Sequence, residues 1–261
     1  MELTTIIGVV IGVLSIIGAM ILKHISFSVL LNPAALLIIL VGTVAAVMNS
    51  YPGEDLKKIG KLFKIIFTKQ KMISETEIIE LMIELSGMAK KDGLLALEAR
   101  VENITDPFIK KAVRMVADGT DRDVIEEILE AEIYTMEKRH EKNAGIFASA
   151  ATYAPTLGVL GAVFGLIAAM ASIDDTDIMA TAIAAAFIAT ILGIFTGYVL
   201  WSPFSKKLKV KSQKEAMLKN MVMEGVLSIQ RGDPPFMLKE RLLSLLPASK
   251  QQKIIDYLEQ E

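Results

Sequence analysis

The sequence predicts an all-α membrane protein with four transmembrane helices, and two observations support this fold class. First, four apolar stretches at residues 3–22, 33–50, 144–173 and 178–201 contain no Asp, Glu, Lys or Arg. A transmembrane helix needs about 20 mostly apolar residues. Second, the polar remainder shows helical periodicity without the alternation typical of strands. We therefore expect transmembrane helices 1 and 2 within residues 1–51, and transmembrane helices 3 and 4 within residues 144–201.

The positive charges predict how these helices are oriented. Residues 52–143 carry 16 of the 28 Lys and Arg residues, residues 202–261 carry 11, and Lys23 is the remaining one. Lysine and arginine are enriched in loops that stay in the cytoplasm. We therefore predict a multi-pass protein of the cytoplasmic membrane, with both termini and both polar blocks inside.

Composition argues against several kinds of chemistry. The chain has no cysteine, which removes disulfides, thiolate metal sites and cysteine catalysis. Its two histidines, His24 and His140, lie in separate regions, and no nucleophile motif or phosphate-binding loop is present. A net charge of −2 gives no basic signal for nucleic acid. We therefore predict no enzyme activity, no cofactor, no metal site and no nucleic-acid partner.

The polar block at residues 52–143 predicts a cytoplasmic helical domain that begins with an amphipathic helix at residues 54–68. Apolar residues fall on one face of this helix and lysines on the other, namely Lys57, Lys58, Lys61 and Lys64. Such a helix beside a transmembrane segment is typical of segments that lie on the inner leaflet and contact lipid. The alternative is an ordinary helix that packs on its neighbours.

The rest of the polar sequence predicts further helices. Ser74 and Glu77 have the spacing of a capping box, which starts a helix to about Lys91. A short helix at residues 94–103 follows, and Asp106-Pro107 starts another. A helix from residue 123 to about 173 meets no early stop and would be roughly 75 Å long. Residues 202–261 complete the domain as C-terminal cytoplasmic helices.

The third and fourth apolar stretches are rich in small residues. Pairs with GxxxG spacing occur at Gly161–Gly165 and at Gly193–Gly197. Small residues let helices approach closely in lipid. We therefore infer that transmembrane helices 3 and 4 face other helices and that helices 1 and 2 lie outside them. The alternative is close packing within a single four-helix bundle.

Ion translocation normally needs an ionisable group within the membrane, and these stretches contain none. If ions cross beside this protein, a partner helix must carry that group. The polar side chains left in the third and fourth stretches are mainly threonines, which commonly bond their own helix carbonyls. Pro155 removes one backbone hydrogen bond, either as a simple kink or as a hinge that frees a carbonyl at a pore.

Several motifs resemble the MotA/TolQ/ExbB superfamily. Residues 153–165 (YAPTLGVLGAVFG) resemble its third-helix signature, and ATILG at 189–193 with WSP at 201–203 resembles the fourth. The two early helices and the segment KKDGLLALE at 90–98 resemble flagellar stator A subunits within this superfamily. The resemblance covers nearly the whole chain.

This resemblance implies a homopentamer around two copies of a MotB-like, single-span, peptidoglycan-binding subunit that carries the ion-binding carboxylate. Ion flow would turn the ring and exert torque on the rotor protein FliG. Residue by residue, the resemblance implies ion-pathway positions at Thr190 and Ala162 and coupling prolines at Pro155 and Pro203. Sodium-driven relatives have a threonine at the position of Ala162, so we expect protons to be the coupling ion.

The resemblance also implies that Lys90 and Glu98, with Lys91 as an alternative to Lys90, contact the rotor. From the residues alone, these three would be a solvated surface. Two other functions stay open: an ExbB/TolQ-like energiser of a cell-envelope system, against which the two early helices argue, and a passive membrane scaffold.

Overall fold

A computed structural model describes residues 2–258, and within this range the chain forms helices and no strand. The predicted fold class is confirmed. In chain order the helices are α1 (Leu3–Leu22), α2 (Pro33–Ser50), α3 (Gly53–Leu56), α4 (Ile59–Phe67), α5 (Glu75–Asp92), α6 (Glu98–Val101), α7 (Pro107–Ala117), α8 (Arg122–Ala171), α9 (Thr176–Gln230), α10 (Pro235–Ser244) and α11 (Ala248–Leu258). Short 3₁₀ turns occupy Phe27–Leu31 and Leu94–Leu97.

The chain divides into two compact units. The transmembrane unit comprises residues 2–70 and 140–211, and the polar unit comprises residues 71–139 and 212–258. Within residues 2–258, four helices are long and apolar enough to cross a membrane: α1, α2, α8 and α9. The first two have the predicted bounds, and Asn32 caps α2 by accepting a hydrogen bond from the Ala35 N–H at 3.1 Å.

The two remaining membrane helices are much longer than their apolar stretches. Helix α8 contains 50 residues and α9 contains 55, so both continue into the polar sequence as the absence of stop signals predicts. Helix α9 is not uniform, because residues Thr196–Trp201 form a π-helical turn. Pro203 follows this turn and cannot donate the usual backbone bond to the Val199 carbonyl, which is a typical setting for such a turn.

The amphipathic segment differs from the predicted single helix, because it is broken between α3 and α4. At the break, the Lys58 N–H bonds the Asp55 carbonyl at 3.1 Å, a tight 3₁₀-type turn. Leu62 and Ile66 on α4 are buried, and the Phe63 ring packs edge-on to Phe147 with centroids 5.3 Å apart. The apolar side of α4 therefore contacts protein, as the alternative interpretation predicts.

The polar unit encloses a core of large aliphatic side chains. Fully buried members come from α5, α8 and α9 and from the short elements between them, for example Ile79, Met82, Leu97, Leu129 and Leu227. The capping box at the start of α5 is present as predicted. Gly93 ends α5 with a φ of 84°. The short helix expected at 94–103 is instead a 3₁₀ turn followed by α6.

Candidate functional site

The close contact between α8 and α9 is made by small residues. A Cβ atom added to Gly158 would lie 2.9 Å from the Ala189 carbonyl oxygen, and one on Gly193 would lie 2.8 Å from the Gly158 Cα. A Cβ atom added to Gly165 would likewise lie 2.9 Å from the Ala186 Cα. Residue numbers rise along one helix as they fall along the other, so the two helices are antiparallel. The glycine pattern is therefore used within one chain, as the single-bundle alternative predicts.

Helices α1 and α2 cover one side of this α8–α9 pair. The Gly42 position of α2 lies 3.1 Å from the Leu157 side chain, measured from an ideal Cβ. Ile39 of α2 packs in one buried cluster with Ala154 and Ala189. A Cβ atom on Gly12 of α1 would lie 2.6 Å from the Val199 side chain.

Ala162 and Thr190 lie on the opposite side of the pair. Each directly follows a contact residue, since a Cβ atom added to Gly161 of α8 would lie 2.9 Å from the Ala189 Cβ of α9. A residue advances by about 100° along a helix. In two antiparallel right-handed helices, one step past facing contact residues leads to the same side of the pair. The two predicted ion-pathway residues are therefore at one level and on one side.

Among residues 2–258, no helix covers this second side. Its flanking side chains are strongly exposed: Val159 (55%), Leu166 (49%), Phe187 (66%) and Ile194 (48%). Ala162 and Thr190 are themselves half-buried. An apolar helix face that also presents one hydroxyl is suited to contact another membrane helix.

The Thr190 hydroxyl donates to the Ala186 carbonyl at 3.3 Å. Thr156, Thr181 and Thr196 also donate to carbonyls of their own helices. This is the local bonding that membrane threonines commonly show. The Thr190 oxygen nevertheless retains acceptor capacity, because a hydroxyl has two lone pairs.

Pro155 packs against the π-helical turn of α9. A Cβ atom on Gly197 would lie 2.7 Å from the Pro155 Cγ and 2.9 Å from the Ala151 carbonyl oxygen. Pro155 cannot donate its usual hydrogen bond to this Ala151 carbonyl. The carbonyl therefore faces α9 of the same chain, close to Gly197. Pro203, which is exposed, lies two residues beyond the turn.

Sequence reasoning identified Gly197 only as a member of a GxxxG pair, and it did not find the contact of Gly197 with Pro155 or the π-helical turn. Pro203 was a signal for the turn, but only the contact with Pro155 shows that Gly197 is the residue on which the proline rests. One irregular segment of α9 therefore contacts Pro155 through Gly197 and precedes Pro203, the two prolines for which the sequence predicts a coupling role.

A set of polar contacts fastens the ends of the membrane helices. Tyr51 and Ser149 share a hydrogen bond of 2.9 Å, and Ser205 donates to the Ala144 carbonyl at 2.8 Å. Lys211 donates to the carbonyls of Ile65 and Thr68 at the end of α4, at 2.6 and 2.7 Å. Sequence reasoning missed these groups, since their partners lie far away in the chain.

Two carboxylates at this end are bound by lysines. Hydrogen bonds from Lys207 and Lys211 lower the pKa of Glu2. A hydrogen bond from Lys142, with a second from Lys58, lowers the pKa of Asp55. Both carboxylates are therefore held in their charged form, which makes them structural anchors.

The predicted rotor-contact residues lie on the polar unit and are exposed. Lys90 and Lys91 are in the last turn of α5, and Glu98 begins α6 beyond the 3₁₀ turn. Among residues 2–258, none of the three forms an ion pair. Lys90 borders a groove with Arg231 and Asp233.

Glu98 borders a different groove, which also contains Glu102 and Arg114. Glu102 is bound by Lys110 and Arg114, and the Lys110 hydrogen bond contributes most to its lowered pKa. The structure therefore does not bring Lys90 and Glu98 into one groove. Both remain free for charge contacts with another molecule.

No cluster of metal ligands occurs in the described part of the chain. Residues 2–258 contain no group of three or more His, Asp or Glu side chains placed to hold a metal ion.

Two family profiles match the sequence. Residues 100–221 match the MotA/TolQ/ExbB proton channel family, and residues 6–93 match the N-terminal region of motility protein A. Motility protein A from Bacillus subtilis is 46% identical over 256 residues, which covers 98% of this chain and 95% of that protein. Chemotaxis protein PomA from Vibrio alginolyticus is 28% identical over 98% of this chain and 100% of that protein.

Solved structures agree with these matches. A chain in the flagellar MotAB stator complex from Bacillus subtilis superimposes with a TM-score of 0.89 and 46% identity, covering 96% of this chain and 98% of that one. A chain of C. jejuni MotAB gives a TM-score of 0.88 and 33% identity, covering 95% and 97%. The similarity extends over both the early helices and the long ones, so this chain belongs to the MotA/TolQ/ExbB proton channel family.

Proposed function

We propose that this protein is the A subunit of a flagellar motor stator, which couples proton flow to torque on the rotor protein FliG. In this proposal it lies in the cytoplasmic membrane with both termini inside, and residues 52–143 and 202–261 form the cytoplasmic part. It assembles as a pentamer around a MotB-like subunit with one membrane span. The relatives named above, including two MotAB complexes, support this assignment.

The uncovered side of the α8–α9 pair is the observation that carries the proposal. Helices α1 and α2 shield the other side, so this side is the one that a helix of the B subunit can reach. It offers apolar contact surface, the Thr190 oxygen, and no ionisable group of its own. The titrating carboxylate then belongs to the partner helix, and Thr190 supplies an oxygen beside it.

Thr190→Val tests the ion pathway, because it removes the hydroxyl and nearly preserves the volume. Swimming speed and uncoupler-sensitive proton uptake should fall at least severalfold when the variant is expressed with its B partner. Thr181→Val is the matched control, since its hydroxyl also donates to its own helix carbonyl. Equal loss in both variants, or no loss in either, would contradict the role given to Thr190.

The identity of the coupling ion is tested by removing sodium from the medium or adding a proton uncoupler. With Ala162 in place of a threonine, swimming should persist without sodium and stop with a proton uncoupler. Swimming that requires sodium would overturn the proton assignment while leaving the stator assignment intact. A passive scaffold would instead show no uncoupler-sensitive ion flow with the B partner.

Pro155 and Pro203 are proposed to couple ion binding to motion of the cytoplasmic helices. The contact of Pro155 with Gly197, which lies in the π-helical turn, supports this role because such turns are frequent at functional sites. Pro155→Ala and Pro203→Leu should retain assembly with the B partner, measured by co-purification, and lose torque. Normal swimming in both variants would argue against coupling through this segment.

Lys90, Lys91 and Glu98 are proposed to contact charged groups on the rotor. Their exposure and lack of ion pairs suit a contact that forms and breaks as the ring turns. Glu98→Lys should reduce swimming without reducing membrane assembly, and raised salt should weaken the interaction because exposed charges are screened. Loss of assembly would show that Glu98 is structural.

A further inference from the structure

The two units carry opposite net charges. Within the transmembrane unit, the polar segments at residues 2, 51–70, 140–143 and 202–211 contain ten lysines and four acidic residues, a net charge of +6. The polar unit and the chain end, residues 71–139 and 212–261, contain 17 basic and 23 acidic residues, a net charge of −6. The excess of positive charge is therefore concentrated next to the membrane helices.

Six of these ten lysines form no ion pair with any of residues 2–258. Lys58, Lys142, Lys207 and Lys211 bind Asp55, Glu2 or backbone carbonyls. The other six are exposed and have no ion pair among residues 2–258; we name them the lysine belt, which consists of Lys57, Lys61, Lys64, Lys69, Lys206 and Lys209.

The lysine belt lies close to the ends of two membrane helices. Lys57 follows the end of α2 by seven residues. Lys206 and Lys209 are five and eight residues beyond Trp201 on α9, which is roughly 7.5 and 12 Å along the helix. The headgroup layer on each side of a bilayer is about 5–8 Å thick. Because lysine stems extend their charged ends to reach an interface, these ammonium groups can meet lipid phosphates.

The packing of α4 limits the kind of contact that the lysine belt can make with lipid. Its apolar side is occupied, since Leu62 and Ile66 are only 4% and 0% exposed and Phe63 packs on Phe147. Insertion of α4 into the acyl region would have to break these contacts. Its exposed side presents lysines, so the contact that remains possible is an electrostatic one with headgroups.

We propose that the lysine belt binds the phosphates of anionic phospholipids and so selects an anionic lipid shell around this end of the bundle. Charge complementarity and continuity with the ends of α2 and α9 identify lipid headgroups, rather than an acidic protein surface, as the occupant. Each lysine near an anionic surface strengthens attraction by about fivefold. Six lysines therefore suffice for a clear preference over zwitterionic lipid. This proposal does not depend on torque or on the coupling ion.

The single tryptophan of the chain provides the probe. Trp201 ends the π-helical turn of α9 and lies close in sequence to Lys206 and Lys209. The full chain is reconstituted in vesicles of brominated phosphatidylglycerol with unlabelled phosphatidylcholine, or with the label on the other lipid. Bromine on the acyl chains quenches nearby tryptophan, so quenching reports which lipid is adjacent.

Brominated phosphatidylglycerol should quench Trp201 at least twofold more strongly than brominated phosphatidylcholine, and high salt should abolish the difference. Replacing all six belt residues by Gln, namely Lys57, Lys61, Lys64, Lys69, Lys206 and Lys209, should abolish it also. A control variant replaces Lys214, Lys239 and Lys253 of the polar unit by Gln and should retain the preference. A second measurement, the phosphatidylglycerol content of protein purified from mixed vesicles, should fall in the belt variant alone.

Three results would overturn the proposal. They are equal quenching by both lipids, a preference that survives loss of the belt, and a preference lost equally in the control variant. Inorganic phosphate, added at the ionic strength of a chloride control, should compete no better than chloride if the site is a lipid surface. Specific competition by phosphate would indicate a pocket for the free anion instead and would also contradict the proposal.

Discussion

In the transmembrane unit, helices α8 and α9 contact each other through their backbones, whereas the core of the polar unit is formed by large side chains. Gly158 and Gly193 bring α8 and α9 into direct contact, with no side chain between them. The polar unit is filled by residues such as Ile79, Met82 and Leu129, all fully buried. Lipid tails are as apolar as leucine, so membrane helices gain little from burying large apolar groups and depend on close packing. The polar unit instead uses the hydrophobic effect.

This comparison implies that the same kind of substitution has different consequences in the two units. Truncating a large side chain should be most damaging in the polar unit. Adding a methyl group should be most damaging where glycine backbones touch.

Leu129→Ala should have the largest effect. Leu129 is fully buried in the core of the polar unit, and such truncations cost about 2–5 kcal/mol. Hydrogen exchange in α5 and α7, followed by mass spectrometry, should show the loss as faster opening of this unit. Leu95→Ala is the control, since Leu95 is 73% exposed, and its exchange should match the unaltered protein.

Gly193→Ala should rank next. Its new Cβ atom would lie 2.7 Å from the Ala154 carbonyl oxygen and 2.8 Å from the Gly158 Cα, and neither backbone can move aside alone. Overpacking of this kind costs about 1–3 kcal/mol. The melting temperature of the detergent-purified protein should fall. Gly18→Ala, which has no atom within 4 Å of the new Cβ, should leave it unchanged or slightly higher.

Gly225→Ala makes the same change within the polar unit and should cost less. The new Cβ atom would meet the Met82 Cγ at 2.7 Å and its Sδ at 2.9 Å. Methionine is flexible and can shift, so we expect less than about 1.5 kcal/mol. A melting temperature that falls as far as in Gly193→Ala would show that contact distance, and not the nature of the neighbour, sets the cost.

The smallest effect concerns the capping box of α5. The Ser74 backbone N–H donates to the Glu77 carboxylate at 2.7 Å and lowers the Glu77 pKa below its ordinary value of 4.5. A lowered pKa in the folded protein stabilises it above the ordinary value, and this contribution is lost as pH falls through the lowered pKa. The melting-temperature difference between the unaltered protein and Glu77→Gln should therefore shrink in acid. A difference that does not change with pH would exclude the charge as its source.

Much of the fold could be predicted because helix signals are local. The bounds of α1 and α2, the capping box at Ser74, and the continuation of α8 past its apolar stretch all follow from neighbouring residues. The break between α3 and α4 did not follow, because Asp55 is bound by Lys142 from a distant part of the chain. Residue type alone could not reveal that contact.

The candidate site also combines residues that the sequence predicted with contacts that it could not predict. The family motifs supplied Thr190, Ala162, Pro155 and Pro203, and the absence of charge in the membrane helices pointed to a partner's carboxylate. The sequence could not say that Gly197 supports Pro155. Nor could it distinguish small residues that face a neighbouring subunit from small residues that join two helices of one chain.

The sequence by itself determined that this chain has four membrane helices, that two of them continue into polar sequence, and that none carries an ionisable group in its apolar stretch. These properties depend on composition and on periodicity along the chain. Only the tertiary structure decided which side of α8 and α9 is covered. The reason is physical: the side of a helix that becomes covered depends on packing against residues that lie far apart in sequence.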